Sequence, residues 1–214
     1  MAQSTATVSA LVVALGGPPL FALASQRLVG DAPSLPLLIA LQIGYCGIAA
    51  VVVWVVLRKE RLPLASIGLH TPRWSTLIVA GLLWFAGLRL LPLVTGPLRD
   101  WGATGEPDQL RRLALLPLWF RIVLALTGGV VEETLYRGYA IERLTLVTGR
   151  RWLAATVAAV AFGLAHAPGW GIRYALLADL PFGVVATLVY LWRRDLIANI
   201  LAHDFGLLLA VLDL

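Results

Sequence analysis

Three charged side chains stand close together in the segment GGVVEETLYR, residues 128–137: Glu132, Glu133 and Arg137. The stretch around them, residues 113–139, is otherwise apolar and long enough to cross a bilayer. Each ionised side chain near a bilayer centre costs roughly 2.5 to 3.5 kcal/mol on insertion scales. Ionisable groups at such a place therefore indicate a functional site, unless they only pair with one another.

Helix geometry divides the two glutamates between different tasks. Glu133 and Arg137 are four residues apart, so they lie on one helix face and are predicted to form an ion pair. Glu132 is turned by roughly 100° to another face and has no partner in its own helix. Glu132 is therefore the candidate for chemistry, and Glu133 and Arg137 are candidates for support.

Two of the three histidines, His166 and His203, lie in later apolar stretches. Counted from basic residues taken as the cytoplasmic edge, Glu133, His166 and His203 lie roughly 15, 22 and 13 Å deep at 1.5 Å per residue. These depths fall within one layer of a tilted helix bundle. A carboxylate and two histidines can supply the base, the oxyanion donor and the leaving-group proton that amide hydrolysis needs. Asn199, one turn before His203 on the same face, is a weaker candidate.

Composition indicates which elements must position these residues. Of 214 residues, 59% are hydrophobic and 14% charged, with a mean hydropathy of +0.84, whereas soluble domains contain roughly 25% charged residues. We therefore expect an all-α, polytopic transmembrane bundle of about seven spans, forming a single integral-membrane domain over residues 1–214. The predicted spans are 8–25, which GGPP at 16–19 is expected to break, 35–57, 74–94, 113–139, 152–168, 174–192 and 196–212.

The distribution of basic residues predicts the orientation. A cytoplasmic N-terminus places more arginine and lysine in inside loops than in outside loops, as the positive-inside rule requires. The inside set is Arg58, Lys59, Arg61, Arg73, Arg143, Arg150, Arg151, Arg193 and Arg194, and the outside set is Arg27, Arg99, Arg111, Arg112 and Arg173. The chain is expected to be a multi-pass membrane protein, in the plasma membrane if it is prokaryotic. These loop residues explain the net charge of +5, so the expected partner is membrane lipid and not nucleic acid.

Three short motifs in successive spans resemble those of a known family. EETLYR fits EExxxR, AFGLAH fits FxxxH with Phe162 and His166, and NILAH supplies the histidine of a third motif, His203. In this order they are similar to the CAAX protease and bacteriocin-processing (CPBP) family of intramembrane endopeptidases, over a core at about 113–214. The resemblance implies a membrane-embedded glutamate protease that acts on a peptide or protein substrate. Its eukaryotic relatives remove the last three residues of prenylated CAAX proteins.

The resemblance also implies roles for individual residues. Glu132 would be the catalytic glutamate, His166 its partner in activating water, and His203 an oxyanion-stabilising residue. Glu133 and Arg137 would hold the motif helix in place. One position departs from the family pattern, because the third motif has Asn or Asp four residues after its histidine and this chain has Leu207. Asn199 and Asp204 are the candidate substitutes, and otherwise the oxyanion hole is incomplete.

Other functions and another mechanism compete with this interpretation. The second class is a non-enzymatic immunity or scaffold protein on the same fold, which Leu207 favours. The third is a proton-coupled transporter that uses Glu132, His166 and Asp179 as a relay. Two histidines and a glutamate also match catalytic zinc, with Glu132, His166 and His203 as ligands. The chain lacks HExxH, so the favoured mechanism is metal-independent and without a cofactor.

Overall fold

The computed structural model describes residues 5–29, 34–100 and 112–212, and every regular element within these ranges is a helix. The first part contains α1 (Thr5–Val29), α2 (Leu35–Trp54) with a π-helical continuation (Val55–Lys59), a 3₁₀ turn (Leu64–Ile67) and α3 (Trp74–Asp100). The expected all-α helical bundle is confirmed. The 3₁₀ turn lies in the interval that separates the second and third predicted spans.

The second part begins with α4 (Leu118–Glu132), a π-helical segment (Glu133–Ile141) and α5 (Glu142–Thr148). It continues with α6 (Arg151–Ala165), two short helices, α7 (Ala167–Trp170) and α8 (Ile172–Tyr174), and a second π-helical turn (Ala175–Asp179). It ends with α9 (Leu180–Arg193) and α10 (Leu196–Leu212). The motif residues are thus divided among α4 with its π-helical segment, α6 with His166 in the turn that follows it, and α10.

Within the described ranges, four helical segments are long and apolar enough to cross a membrane: Thr5–Val29, Leu35–Lys59, Arg151–Trp170 and Ile172–Arg193. Two shorter apolar helices, Trp74–Arg89 and Leu196–Leu212, correspond to the predicted third and seventh spans. The predicted fourth span is the helix that carries the charged residues of EETLYR. The count of seven spans and the cytoplasmic N-terminus remain predictions.

The expected break at GGPP does not occur, because α1 continues through Pro18 and Pro19. Proline removes a helical hydrogen bond, but membrane helices tolerate it where neighbouring helices support the turn. Here α1 packs along α2, and a Cβ built on Gly17 would lie 3.2 Å from the side chain of Ile48. This close packing holds the helix continuous.

The π-helical segment Glu133–Ile141 lies at the centre of the bundle, and all nine of its residues are buried. It contacts α1, α2, α6 and α10. Beside this segment, α9 approaches α6 closely at Gly183, where an added Cβ would lie 2.7 Å from Phe162 Cδ1. Small residues let membrane helices approach one another in this way. The glycine therefore fixes the position of a motif side chain.

Candidate active site

Glu133 is the centre of a buried hydrogen-bond network. Its Oε1 atom lies 2.9 Å from Nη1 of Arg137 and 2.9 Å from Nδ1 of His203. Its Oε2 atom accepts a hydrogen bond of 3.3 Å from Nδ2 of Asn199. The ion pair predicted between Glu133 and Arg137 is present, and both side chains are fully buried. Both oxygens of Glu133 are occupied, so this carboxylate joins the π-helical segment to α10.

Arg137 also connects the motif helix to α6 and α9. Its Nη2 atom donates to the carbonyl oxygen of Gly183 at 3.2 Å. Its guanidinium carbon lies 4.0 Å from the centre of the Phe162 ring, within the range of a cation–π interaction. Phe162 of the second motif is thus a packing partner of the buried cation, in agreement with a supporting position.

Glu132 points in a different direction from Glu133 and approaches the Nε2 atoms of both histidines. Its Oε2 atom lies 3.6 Å from Nε2 of His166 and 3.9 Å from Nε2 of His203. Its Oε1 atom accepts a hydrogen bond of 3.1 Å from the hydroxyl of Tyr45 on α2. Within the described part of the chain, Oε2 is buried and has no hydrogen-bond partner. The structure therefore brings together the three predicted catalytic residues around one unpaired carboxylate oxygen.

The partners of the two histidines define which ring nitrogen carries a proton. Nδ1 of His166 lies 2.9 Å from the carbonyl oxygen of Phe162, and Nδ1 of His203 lies 2.9 Å from Glu133. A carbonyl and a carboxylate only accept, so each Nδ1 is the donor. In the neutral form, each Nε2 then presents a lone pair towards Glu132. A water between Oε2 and these nitrogens would find acceptors on more than one side.

A cavity of about 150 Å³ opens beside Glu132. Its polar side chains are Tyr45, Glu132, Tyr136 and His166. The rest of its wall is mainly apolar and is formed by Pro18, Phe21, Ala22, Ala165, Gly169 and Trp170. A mainly apolar wall with a few convergent polar groups is the usual lining of a ligand site.

Several of the predicted site residues lie outside this cavity. Among the described residues, His203, Asn199 and Asp204 do not line it. The Asp204 carboxylate lies against Gly129, and its Oδ1 atom has no partner among the residues that the structure describes. Leu207 lies over Gly128, 3.6 Å from the position of an added Cβ. Neither candidate substitute for the missing Asn or Asp thus reaches the cavity.

The proposed relay residue Asp179 lies at the end of the second π-helical turn. Its Oδ2 atom is buried and unpaired within the described ranges, and its side chain does not line this cavity.

Two tyrosines of the cavity were not predicted from the sequence. Tyr136 lies four residues after Glu132 in EETLYR, so helical spacing could have identified it. Tyr45 comes from α2, far away in the chain, and its apolar surroundings in the sequence gave no signal. Only the packing of α2 against α4 brings its hydroxyl to Glu132.

A second buried network at the end of the bundle was also missed. The Glu60 carboxylate, which follows the basic residues Arg58 and Lys59, lies 2.7 Å from Nη2 of Arg143, and both side chains are almost fully buried. Arg143 also donates to the Ser66 hydroxyl at 2.9 Å, and the Tyr139 hydroxyl donates to Glu60 at 2.9 Å. Burial raises the pKa of Glu60, but the hydrogen bond and charge of Arg143 outweigh it and hold the pKa below its ordinary value.

The metal alternative concerns Glu132, His166 and His203. Within the described ranges, no group of three or more His, Cys, Asp or Glu side chains has an arrangement that could hold a metal ion.

Residues 114–205 match the family model described as type II CAAX prenyl endopeptidase Rce1-like. No curated protein and no solved structure matches the chain. The matched segment contains all three sequence motifs and, in the structure, both the Glu133 network and the Glu132 site. Over this segment, which is less than half of the chain, the protein is similar to the Rce1-like type II CAAX prenyl endopeptidases, a family of proteases, in agreement with the resemblance of its three motifs.

Proposed function

We propose that the protein is an intramembrane endopeptidase in which Glu132 activates a water molecule to hydrolyse a peptide bond. The observation that carries the proposal is the unpaired Oε2 atom of Glu132, 3.6 and 3.9 Å from two imidazole nitrogens and beside a cavity. A buried carboxylate oxygen without a partner is costly. A water or substrate that enters the cavity would relieve that cost.

In the proposed mechanism, Glu132 removes a proton from the water as its oxygen adds to the carbonyl carbon. The π electrons of the carbonyl move to its oxygen and form the tetrahedral oxyanion. The carbonyl then re-forms and the C–N bond breaks. The leaving amine takes the proton that Glu132 removed from the water, either directly from Glu132 or through His166. Tyr45 orients the carboxylate, whereas Glu133 and Arg137 hold the helix. The role implied for His203, oxyanion stabilisation, remains a prediction.

The proposed substrate is a membrane-associated peptide, with prenylated CAAX peptides as the first class to test. The family match supports this class. The apolar wall around Phe21 and Trp170 supports it as well, because such a surface suits an apolar chain better than a charged one. We propose that the protein crosses the membrane several times and presents this cavity within it.

The test is cleavage by purified protein in detergent or vesicles, with a farnesylated CAAX peptide and its unmodified counterpart. Glu132→Gln should lower kcat by at least about 100-fold, the usual contribution of a general base. Glu142→Gln is the matched control, since Glu142 pairs with Arg194 away from the cavity, and it should retain activity. A Glu132→Gln protein with full activity would refute the assignment.

Two further outcomes separate the alternatives. Wild-type protein that binds but never cleaves either peptide would favour the immunity or scaffold function, and proton flux coupled to a solute would favour transport. A chelator such as phenanthroline should leave cleavage unchanged. Loss of cleavage that added zinc restores would show that Glu132, His166 and His203 act as metal ligands.

A further inference from the structure

Tyr136 is a fully buried tyrosine whose hydroxyl has no hydrogen-bond partner among the described residues. Its ring packs edge-on against Phe162, with centroids 5.5 Å apart. A phenol in such a place usually finds a partner inside the protein, and its absence calls for an explanation. Because Tyr136 lines the cavity beside Glu132 and His166, a group that enters the cavity is the available partner.

The other donors near Glu132 are already committed. The Tyr45 hydroxyl donates to Glu132 Oε1, and His203 donates through Nδ1 to Glu133. With Nδ1 protonated, Nε2 of His203 donates only when the ring is an imidazolium. The hydroxyl of Tyr136 needs no change of charge to donate. Of the four polar side chains that line the cavity, Tyr136 thus offers the one neutral donor that is not yet bonded.

We propose that Tyr136 is a catalytic residue that binds the carbonyl oxygen of the scissile peptide bond and stabilises the oxyanion. This inference rests on the proposed function. As water adds to the carbonyl carbon and Glu132 takes its proton, the carbonyl π electrons become the oxyanion, and the Tyr136 hydroxyl donates a hydrogen bond to it. Tyr136 keeps its proton throughout. The hydrogen bond weakens when the carbonyl re-forms and the C–N bond breaks.

This role compensates for the position at which the third motif departs from its pattern. Leu207 offers no polar atom, and Asn199 and Asp204 do not line the cavity. Tyr136 lies four residues after Glu132, in the π-helical segment that continues α4. The base and the oxyanion donor are therefore held by one continuous helix and not by two separate helices.

The kinetic test compares Tyr136→Phe with Tyr190→Phe. Tyr190 is also fully buried, but its hydroxyl donates to Glu142 at 3.0 Å. Tyr136→Phe should lower kcat on the order of 100-fold with little change in KM, the loss typical of one oxyanion donor. Its thermal stability should stay unchanged, since no bond within the protein is lost. Tyr190→Phe should show the reverse, with lower stability and normal kcat.

A binding readout separates this inference from the proposed function. Glu132→Gln protein binds the farnesylated or unmodified CAAX peptide with ¹³C at the scissile carbonyl, and isotope-edited infrared spectra are recorded. The labelled stretch should lie at lower frequency with Tyr136 than with the added change Tyr136→Phe. If this shift is present but the wild-type protein does not cleave the peptide, the contact between Tyr136 and the carbonyl is supported and the protease function is refuted.

Three results would overturn the inference. The first is an identical carbonyl frequency in both proteins, even when the wild type cleaves and Glu132 is essential. The second is a Tyr136→Phe protein with normal kcat, or one as destabilised as Tyr190→Phe, because the hydroxyl would then have a structural role. The third is that neither peptide binds, which would also refute the proposed function for these peptides.

Discussion

The imidazole Nδ1 of His203 lies 2.9 Å from Oε1 of Glu133, on a different helix. This contact binds the Nδ1 edge of the imidazole to the buried network and turns the Nε2 edge towards Glu132. The two adjacent glutamates therefore contact the same histidine from opposite sides of the ring. Glu133 sets the orientation of the His203 ring, and the Glu132 carboxylate lies near its Nε2 atom.

Arg137 and Glu133 should be essential for folding more than for chemistry. Arg137→Gln removes the cation and leaves the Glu133 carboxylate fully buried, so we expect a loss of about 3–5 kcal/mol in the free energy of unfolding. Arg194→Gln removes a cation that pairs with Glu142 but is 54% exposed, and should cost less than about 1 kcal/mol. Reversible unfolding in mixed micelles measures both. Similar losses in the two variants would contradict the buried ion pair.

Gly129 and Gly128 should respond differently to alanine, although they are neighbours on α4. A Cβ on Gly129 would overlap the Asp204 carboxylate and lie 3.2 Å from its backbone nitrogen. Gly129→Ala should force α4 and α10 apart, at a cost of about 1–3 kcal/mol, and should lower kcat. Gly128→Ala meets only an ordinary contact with Leu207. It should be neutral or stabilising by up to about 1 kcal/mol.

The readouts for this pair are thermal unfolding and peptide cleavage under the same conditions. Gly129→Ala with unchanged stability would show that the two helices tolerate a wider separation than the structure indicates.

The Glu60 network should make stability depend on pH in the acidic range. The native pKa of Glu60 is held below its ordinary value, so the unfolded chain binds a proton more readily than the folded one. The contribution is complete above the unfolded pKa of about 4.3 and is lost as pH falls through the native pKa. Unfolding measured from pH 7 down to pH 3 should show this loss.

Glu60→Gln is the variant that checks the cause. It should be less stable than the wild type at pH 7 and lose less stability on acidification. The same pH slope in the wild type and in Glu60→Gln would assign the slope to other carboxylates.

Helical spacing alone predicted that the two glutamates of EETLYR have different partners. The separation of four residues between Glu133 and Arg137 predicted their ion pair, and the turn of roughly 100° predicted that Glu132 faces elsewhere. The count along three helices predicted that Glu133, His166 and His203 share one depth in the membrane, and that depth remains a prediction. The ion pair and the separate direction of Glu132 are present in the structure because local helix geometry constrains them, without knowledge of how the helices pack.

The residues that complete the site could not be found in this way. Tyr45 and Glu60 reach their partners through contacts between helices that are distant in sequence. The continuous α1 across Pro18 and Pro19 is another case, since support from α2 decides it. Each of these depends on which helix faces which, and on the rotation of each helix about its axis.

The sequence by itself determined the helical class, the apolar environment and the set of ionisable residues that this environment makes expensive. Insertion cost and helical periodicity are local quantities, and the order of residues specifies them. Only the tertiary structure decided that His203 is fixed by Glu133, that Glu132 keeps one oxygen unpaired, and that Tyr136 and not His203 lines the cavity. Hydrogen bonds form over about 3 Å, and only the packing of several helices fixes positions to that precision.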